Sequence, residues 1–240
     1  MNQNRDVIIA CDFPSGAAAI EFLEKMAKDV NREDGQKPYV KIGMELFYAE
    51  GPSIVKQIKE MGFRIFLDLK LHDIPNTVKS AMKVLAGLGV DMCNVHCAGA
   101  IEMMKGAIEG LTREDGTRPL LIGVTQLTST SQEQLENEIL IERPIEEVVA
   151  TYAKNAKAAG LDGVVCSPLE TKIVKEACGS DFITVTPGIR FADGDKQDQK
   201  RVTTPAEAKT LGTDYIVVGR PITKAEVPAE AYNRCLNDFM

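Results

Sequence analysis

The chain has 240 residues, of which 44% are hydrophobic and 26% are charged, so its composition is that of an ordinary globular protein. A net charge of −7 argues against a nucleic-acid partner or an anionic membrane surface. No stretch approaches the ~20 consecutive apolar residues of a membrane span, so we predict no membrane partner, and the N-terminal residues do not resemble a signal peptide.

Eight short apolar runs alternate with longer amphipathic segments along the chain, and nothing between them resembles a linker. We predict strands over residues 7–13, 39–43, 64–70, 92–97, 119–127, 163–167, 182–189 and 215–220. The intervening segments, such as 17–30 and 145–160, have apolar residues at i, i+3 and i+4, which is typical of helices. This alternation predicts an α/β fold, a (β/α)₈ TIM barrel, as a single domain over residues 1–240. A doubly wound open sheet has the same periodicity and stays as the alternative.

Functional residue types stand where these apolar runs end. In a parallel barrel, the active site lies at the carboxyl ends of the strands. The residues found there are Asp12, Lys41, Asp68, Lys70, Asp73, Gln126, Thr128, Ser129, Arg190, Gly219 and Arg220. Charged side chains in apolar strands cost free energy unless they are paired, so their gathering at one rim predicts a functional site.

The densest group runs from Asp68 to Asp73 in the third predicted strand. Asp68 and Lys70 are two positions apart, so a strand directs both side chains to one face. A lysine beside a carboxylate keeps its proton, which suits it to protonate a carbanion and not to form a Schiff base. A structural ion pair inside the barrel is the alternative interpretation.

The last two strands end in a pattern that favours phosphate binding. Gly219 permits close backbone approach, and the guanidinium of Arg220 can bind two phosphate oxygens, at a place where barrels often hold phosphate. The polar segment 190–201 follows the seventh strand and predicts a lid or a binding loop. A solvated connection is the alternative for this segment.

Cysteine and histidine residues are candidate metal ligands and bases. Cys93, His96 and Cys97 lie in one apolar run, but no second Cys/His pair follows at zinc-ligand spacing, so we predict no metal site. His72 could act as a general base, but we favour a structural histidine. The six cysteines, in a chain without a secretory signal, predict reduced thiols and a cytoplasmic location.

The segment FLDLKLHDIPNTV closely resembles the Asp-x-Lys-x-x-Asp signature region of the orotidine 5′-phosphate decarboxylase family. The segments ACDFP, KIGMELF, GVTQLTS, TPGIR and VVGRPI are similar to that family's other strand ends, in the same order. The resemblance therefore covers nearly the whole chain. It implies a cytoplasmic, homodimeric TIM-barrel carboxy-lyase that converts orotidine 5′-monophosphate to uridine 5′-monophosphate and carbon dioxide, the last step of de novo UMP biosynthesis, without a cofactor.

The resemblance also implies the role of each site residue. Lys70 would protonate C6 of the pyrimidine, within a charged array completed by Asp68, Lys41 and Asp73. Asp73 would cross from the partner subunit of the dimer. The remaining substrate contacts that the resemblance implies are Asp12 and Lys41 for the ribose, Ile74 and Thr77 beside Asp73, Thr128 and Ser129 for the pyrimidine, and Arg190, Gln199, Gly219 and Arg220 for the phosphate.

Two other functions remain open on the sequence alone. A metal-dependent sugar-phosphate lyase or aldolase can share the Asp-x-Lys-x-x-Asp array, but it needs carboxylates arranged around a magnesium ion. A non-catalytic sensor of a phosphorylated metabolite would keep the pocket. The Thr-Ser segment favours the decarboxylase over the first, and the presence of Lys70 favours it over the second.

Overall fold

The computed structural model describes residues 5–30, 32–192 and 202–240, and its strands form one closed parallel sheet. The strands are β1 (Asp6–Ala10), β2 (Tyr39–Gly43), β3 (Arg64–Leu71), β4 (Met92–His96), β5 (Leu120–Val124), β6 (Gly163–Val165), β7 (Ile183–Thr186) and β8 (Tyr215–Val218). Each strand pairs with the next, and β1 also pairs with β8. The predicted TIM barrel is confirmed, and the open doubly wound sheet is excluded.

Helices connect the successive strands and pack around the barrel. They are α1 (Gly16–Asp29), α2 (Met44–Glu50), α3 (Pro52–Glu60), α4 (Pro75–Ala86), α5 (Ala100–Leu111), α6 (Gln132–Asn137), α7 (Ile145–Ala159), α8 (Thr171–Cys178), α9 (Pro205–Thr210), α10 (Arg220–Thr223) and α11 (Pro228–Phe239). Short 3₁₀ turns occupy Cys97–Gly99 and Pro168–Glu170. Within the described ranges, none of these helices has the length and apolar character needed to cross a bilayer.

Alternate residues of the strands divide the core into two parts. One part packs between the strands and the helices, and it includes Val7, Ile9, Val40, Ile42 and Leu67. The other fills the barrel interior, and it includes Ile8, Ala10, Tyr39, Phe66, Met92, Ile122, Val185 and Tyr215. The period of two along each strand explains this division. It also means that Lys41, two residues beyond Tyr39, and Asp68, two beyond Phe66, share the interior side.

Six of the eight strands end earlier than the apolar pattern predicts, whereas β2 ends as predicted and β3 ends one residue later. β7 was expected to continue to residue 189 but ends at Thr186, because Pro187 has no N–H to donate and Gly188 has a φ of 84°.

β1 was expected to start at Val7, but it includes Asp6, which is buried. The Asp6 carboxylate forms ion pairs with Arg32 and Arg64 at the amino-terminal end of the barrel.

Close packing of α4 on α5 fixes the helix that follows the Asp68–Asp73 segment. A Cβ atom added at Gly110 on α5 would overlap the carbonyl oxygen of Lys79 on α4. The two helices can approach this closely only because the residue is glycine. The packing of α4 against α5 therefore fixes the helix that contains Thr77 and that begins directly after Ile74.

Candidate active site

Four charged side chains of alternating sign line the carboxyl-terminal end of the barrel. Lys41 Nζ lies 2.9 Å from Asp12 Oδ1 and 3.4 Å from Asp68 Oδ2. Lys70 Nζ lies 2.6 Å from Asp68 Oδ1. The array thus runs Asp12, Lys41, Asp68, Lys70, with the two inner members buried and Lys70 partly open to solvent. The structure brings together these four residues that the sequence predicted.

Burial and opposite charges compete at the two inner members of the array. Burial would raise the pKa of Asp68, but the charges of Lys41 and Lys70 and hydrogen bonds from Lys70 and Asn94 outweigh it, and the pKa is lowered. Burial would lower the pKa of Lys41, but Asp68 and Asp12 outweigh it, and the pKa is raised. Both groups therefore stay ionised at neutral pH.

The Lys70 backbone has an unusual conformation for a residue with a side chain. Its φ is 52°, in the left-handed region, which costs ~1–2 kcal/mol for an L-residue. The pairing of β3 with β4 is also irregular here, since Leu67 pairs with Cys93 and Leu71 with Val95. Such backbone persists only where surrounding contacts hold it, and it is frequent at active sites.

Asn94 is a site residue that the sequence analysis missed. It lies on β4, is fully buried, and points into the barrel interior beside Asp68. Its Nδ2 donates to Asp68 Oδ1 at 2.6 Å, and its Oδ1 accepts from the Lys70 backbone N–H at 2.8 Å. The available signal was one amide side chain between Cys93 and Val95 in an apolar strand, since a buried amide requires hydrogen-bond partners.

Gly43 is a second residue that the sequence analysis missed. It ends β2 on the same face as Lys41. A Cβ atom at this position would lie 2.8 Å from Asp12 Oδ1 and 2.9 Å from Lys41 Nζ, which is closer than side chains pack. Glycine at position 43 therefore leaves the space in which the Asp12–Lys41 ion pair forms.

Asp73, Ile74 and Thr77 lie on the surface of this chain. Asp73 is exposed, and its Oδ1 accepts from the Ile74 N–H at 2.6 Å. Ile74, directly after Asp73, is 66% exposed. In the described parts of the chain, the ion pairs of the array do not include Asp73.

The predicted pyrimidine segment follows β5. Thr125, directly after the strand, is buried and donates from Oγ1 to the Val165 carbonyl at 2.9 Å. Beyond it, Gln126 and Thr128 are partly exposed and Ser129 is exposed. The segment thus starts from an anchored residue and presents hydroxyl groups at the rim of the barrel.

The predicted phosphate residues follow the neighbouring strands β7 and β8. Arg190 is buried, and its backbone N–H donates to the Thr203 carbonyl at 3.1 Å. This hydrogen bond joins Arg190 and Thr203, which stand at the two ends of the intervening segment. Gly219 precedes α10, which begins at Arg220, and both residues are partly exposed. Gln199 and most of the predicted loop 190–201 lie outside the described residues.

Across the described segments, the cysteine and histidine side chains do not form a metal-binding cluster. Among the residues that the structure describes, no three His, Cys, Asp or Glu side chains are grouped to hold a metal ion. All six cysteines are buried free thiols. The rings of His72 and His96 lie 5.7 Å apart at the rim; burial, together with the charges of His72 and Lys70, lowers the pKa of His96.

Comparison with known proteins relates this chain to a family. The family model described as "Orotidine 5'-phosphate decarboxylase / HUMPS family" matches residues 5–235. A protein of Bacillus cereus (strain AH820) named orotidine 5'-phosphate decarboxylase is 57% identical over 232 residues, which cover 95% of this chain and 94% of that protein. The protein of the same name from Bacillus cytotoxicus is 56% identical over the same length, with the same coverage of both chains.

Solved structures agree with the sequence relatives. The orotidine 5'-phosphate decarboxylase from Lactobacillus acidophilus is 43% identical and superposes with a TM-score of 0.83, covering 98% of this chain and 99% of that chain. A protein from Geobacillus kaustophilus described as an uncharacterized conserved protein is 47% identical, with a TM-score of 0.84, covering 98% of this chain and all of that chain. The similarity extends over the whole barrel.

Proposed function

The chain belongs to the orotidine 5'-phosphate decarboxylase / HUMPS family, and we propose that it converts orotidine 5′-monophosphate to uridine 5′-monophosphate and carbon dioxide. The observation that carries the proposal is the alternating Asp12–Lys41–Asp68–Lys70 array at the carboxyl end of the barrel. The relatives' shared name supports the same reaction. The protein would thus catalyse the last step of de novo UMP biosynthesis.

Lys70 is the proton donor in this proposal. Loss of carbon dioxide leaves an electron pair on C6 in the plane of the pyrimidine ring, where the ring's π electrons do not delocalise it. A fixed ammonium group stabilises that charge as it develops and then transfers its proton to C6. The contact of Lys70 with Asp68 supports this role, because it holds the ammonium group in place before the reaction begins.

Asp68 organises the array and acts on the substrate carboxylate. Its two oxygens face Lys70 and Lys41, so it fixes both cations in the barrel interior. A substrate carboxylate bound beside Asp68 is repelled by it, and the repulsion disappears when the carboxylate leaves as neutral carbon dioxide. The reaction in this account needs no metal or organic cofactor.

The remaining contacts bind the substrate away from the reacting carbon. Asp12 and Lys41 bind the ribose hydroxyl groups, and Thr128 and Ser129 bind the amide edge of the pyrimidine. The phosphate binds at the ends of β7 and β8, against Arg190, Gly219 and Arg220, and the family resemblance implies Gln199 as a further contact. Phosphate binding is remote from the broken bond, so its free energy can serve to organise the site around the transition state.

We place Asp73 in the active site of a partner subunit in a homodimer, with Ile74 and Thr77 beside it. The exposed Asp73 carboxylate and the exposed Ile74 side chain support this arrangement, because a dimer interface would cover both. The completed array would then be Lys41, Asp68 and Lys70 of one subunit with Asp73 of the other.

Turnover of orotidine 5′-monophosphate by the purified chain tests the proposed function. The absorbance of the orotate ring should fall as uridine 5′-monophosphate forms, and the rate should be unchanged by a chelator. A chelator-sensitive reaction with sugar phosphates would point to the metal-dependent lyase. Binding of the nucleotide without turnover would point to the sensor.

Subunit mixing tests the shared site. Lys70→Ala and Asp73→Ala should each be nearly inactive, but a mixed dimer carries one intact site and one site with both lesions. Random exchange gives about half mixed dimers and roughly a quarter of all sites restored. Verified subunit exchange without return of activity would exclude a site shared between chains.

We also propose that residues 1–240 fold as one domain that works in the cytoplasm. The family model and the closed barrel both extend over nearly the whole chain, which supports one domain. Six buried free thiols support a reducing compartment. Limited proteolysis and fractionation of cells producing the protein would check these two points.

A further inference from the structure

We propose that Asn94 is a positioning residue that fixes Asp68 and the Lys70 backbone for proton transfer, an inference that rests on the proposed decarboxylase function. The side chain of Asn94 contacts both residues. Its Nδ2 donates to Asp68 Oδ1 at 2.6 Å, and its Oδ1 accepts from the Lys70 N–H at 2.8 Å. No other side chain joins these two residues among the hydrogen bonds of the described ranges.

The irregular pairing of β3 with β4 explains why an amide is needed at this position. Leu67 pairs with Cys93 and Leu71 pairs with Val95, so three residues of β3 lie opposite Asn94 alone. The regular ladder therefore cannot supply a partner for every backbone group of the inserted residues. The Asn94 side chain replaces the missing acceptor for Lys70, whose φ of 52° has to be maintained by its surroundings.

The chemistry of the two contacts selects asparagine among residues of its size. The Lys70 N–H requires an acceptor, and the Asp68 carboxylate requires a donor. A carboxamide provides one of each, whereas an ionised carboxylate at position 94 would provide two acceptors and repel Asp68. Leucine would fill the volume but leave the Lys70 N–H without its partner. The side chain is fully buried, so water does not replace it readily.

Loss of the amide should change the chemical step more than substrate binding. Asp68 Oδ1 also accepts from Lys70 Nζ, so movement of Asp68 moves the ammonium group that faces C6. A misplacement on the order of 1 Å costs about 10²-fold in rate. The described phosphate residues, Arg190, Gly219 and Arg220, follow β7 and β8, which do not neighbour β4 in the barrel, so affinity for the product nucleotide should be retained.

Two variants and one control test the inference. For each protein the measurements are kcat, the Kd of uridine 5′-monophosphate and the temperature of thermal unfolding. Asn94→Ala should lower kcat by about 10–100-fold and change the Kd less than about threefold. Asn94→Asp should be nearly as impaired at pH 8 and recover toward pH 5. A protonated carboxyl group there can donate to Asp68 as the amide does, so the kcat ratio of variant to parent should rise ~10-fold.

Thr184→Val is the matched control. Thr184 is also fully buried on a strand, and its hydroxyl donates to Asp214 at 3.0 Å near the amino-terminal end of the barrel. This variant should lose thermal stability but keep the parent kcat at both pH values. It thus separates the loss of any buried hydrogen bond from the loss of the Asn94 contacts.

Three results would overturn the positioning role while the parent chain remains active. They are a kcat for Asn94→Ala within twofold of the parent, a pH-independent ratio for Asn94→Asp, and failure of both variants to fold while Thr184→Val folds. The last would make Asn94 a requirement of the fold instead. An inactive parent chain would contradict the proposed function, which is a separate outcome.

Discussion

Replacement of Gly43 by alanine should separate the activity of this protein from its stability. The Gly43 backbone has φ −88° and ψ −179°, an extended conformation that alanine adopts without strain. The added Cβ would lie 2.8 Å from Asp12 Oδ1 and 2.9 Å from Lys41 Nζ, whereas ordinary contact begins at 3.4 Å. Each side-chain end must therefore retreat by about half an ångström.

The size of the effect follows from which atoms must move. Both clashing atoms are ends of flexible side chains, and the side chain of Asp12 is 54% exposed, so the barrel can accommodate the methyl group. Gly→Ala substitutions at compatible backbone positions stabilise by ~0.4–1 kcal/mol through the unfolded state, which offsets much of the strain. A half-ångström displacement of Lys41 and Asp12 should lower kcat/KM by about 10–100-fold.

Steady-state kinetics and urea unfolding measure the two effects on the same preparation. Gly87→Ala is the control, because its φ is −77° and an added Cβ meets only the Val84 carbonyl oxygen at 3.4 Å. The control should keep the parent kcat/KM and be at least as stable as the parent, by up to ~1 kcal/mol. A Gly43→Ala protein with kcat/KM within twofold of the parent would refute the assignment of Asp12 and Lys41 to the substrate site.

Three further predictions concern the phosphate end, the pH dependence and the amino-terminal end of the barrel. Arg220→Ala should lower kcat/KM at least ~10-fold for the nucleotide but hardly at all for orotidine, which lacks the phosphate; equal losses would indicate a structural role. The pKa of Asp68 is lowered from 3.8, so the stabilisation from its ionised form is present above pH 3.8 and is lost in acid. Asp68→Asn should therefore lose less stability than the parent below that pH. Thermal unfolding measured across an acid titration would show or contradict this difference. Asp6→Ala removes a buried carboxylate that pairs with Arg32 and Arg64, while Asp34 still pairs with Arg32, so it should lower the free energy of unfolding by about 1.5–3 kcal/mol in urea, with kcat retained; an unchanged urea midpoint would contradict it.

The sequence predicted the barrel well because each of its units carries a local signal. Eight apolar runs separated by amphipathic segments specify strands and helices, and the polar residues at strand ends specify the rim. The ends of strands were less accurate, since apolar residues such as Ile189 continue past the last regular pair and pack against the core without extending the sheet.

The missed residues depend on contacts between strands that are distant in the sequence. Asn94 becomes informative only once the insertion in β3 places three residues opposite it. Gly43 becomes informative only once Asp12 of the neighbouring strand end is seen to occupy the space beside it. Neither the register of β3 against β4 nor this close approach has a signature within one segment.

The central claim is that Lys70 protonates C6, and turnover by Lys70→Ala tests it most directly. The measurement is the fall in orotate absorbance, made at a nucleotide concentration that saturates the variant, with binding of uridine 5′-monophosphate measured in parallel. The account predicts that turnover falls by more than ~10³-fold, since the group supplies both the charge and the proton, while the product nucleotide still binds. Near-normal turnover by the folded variant would contradict the account.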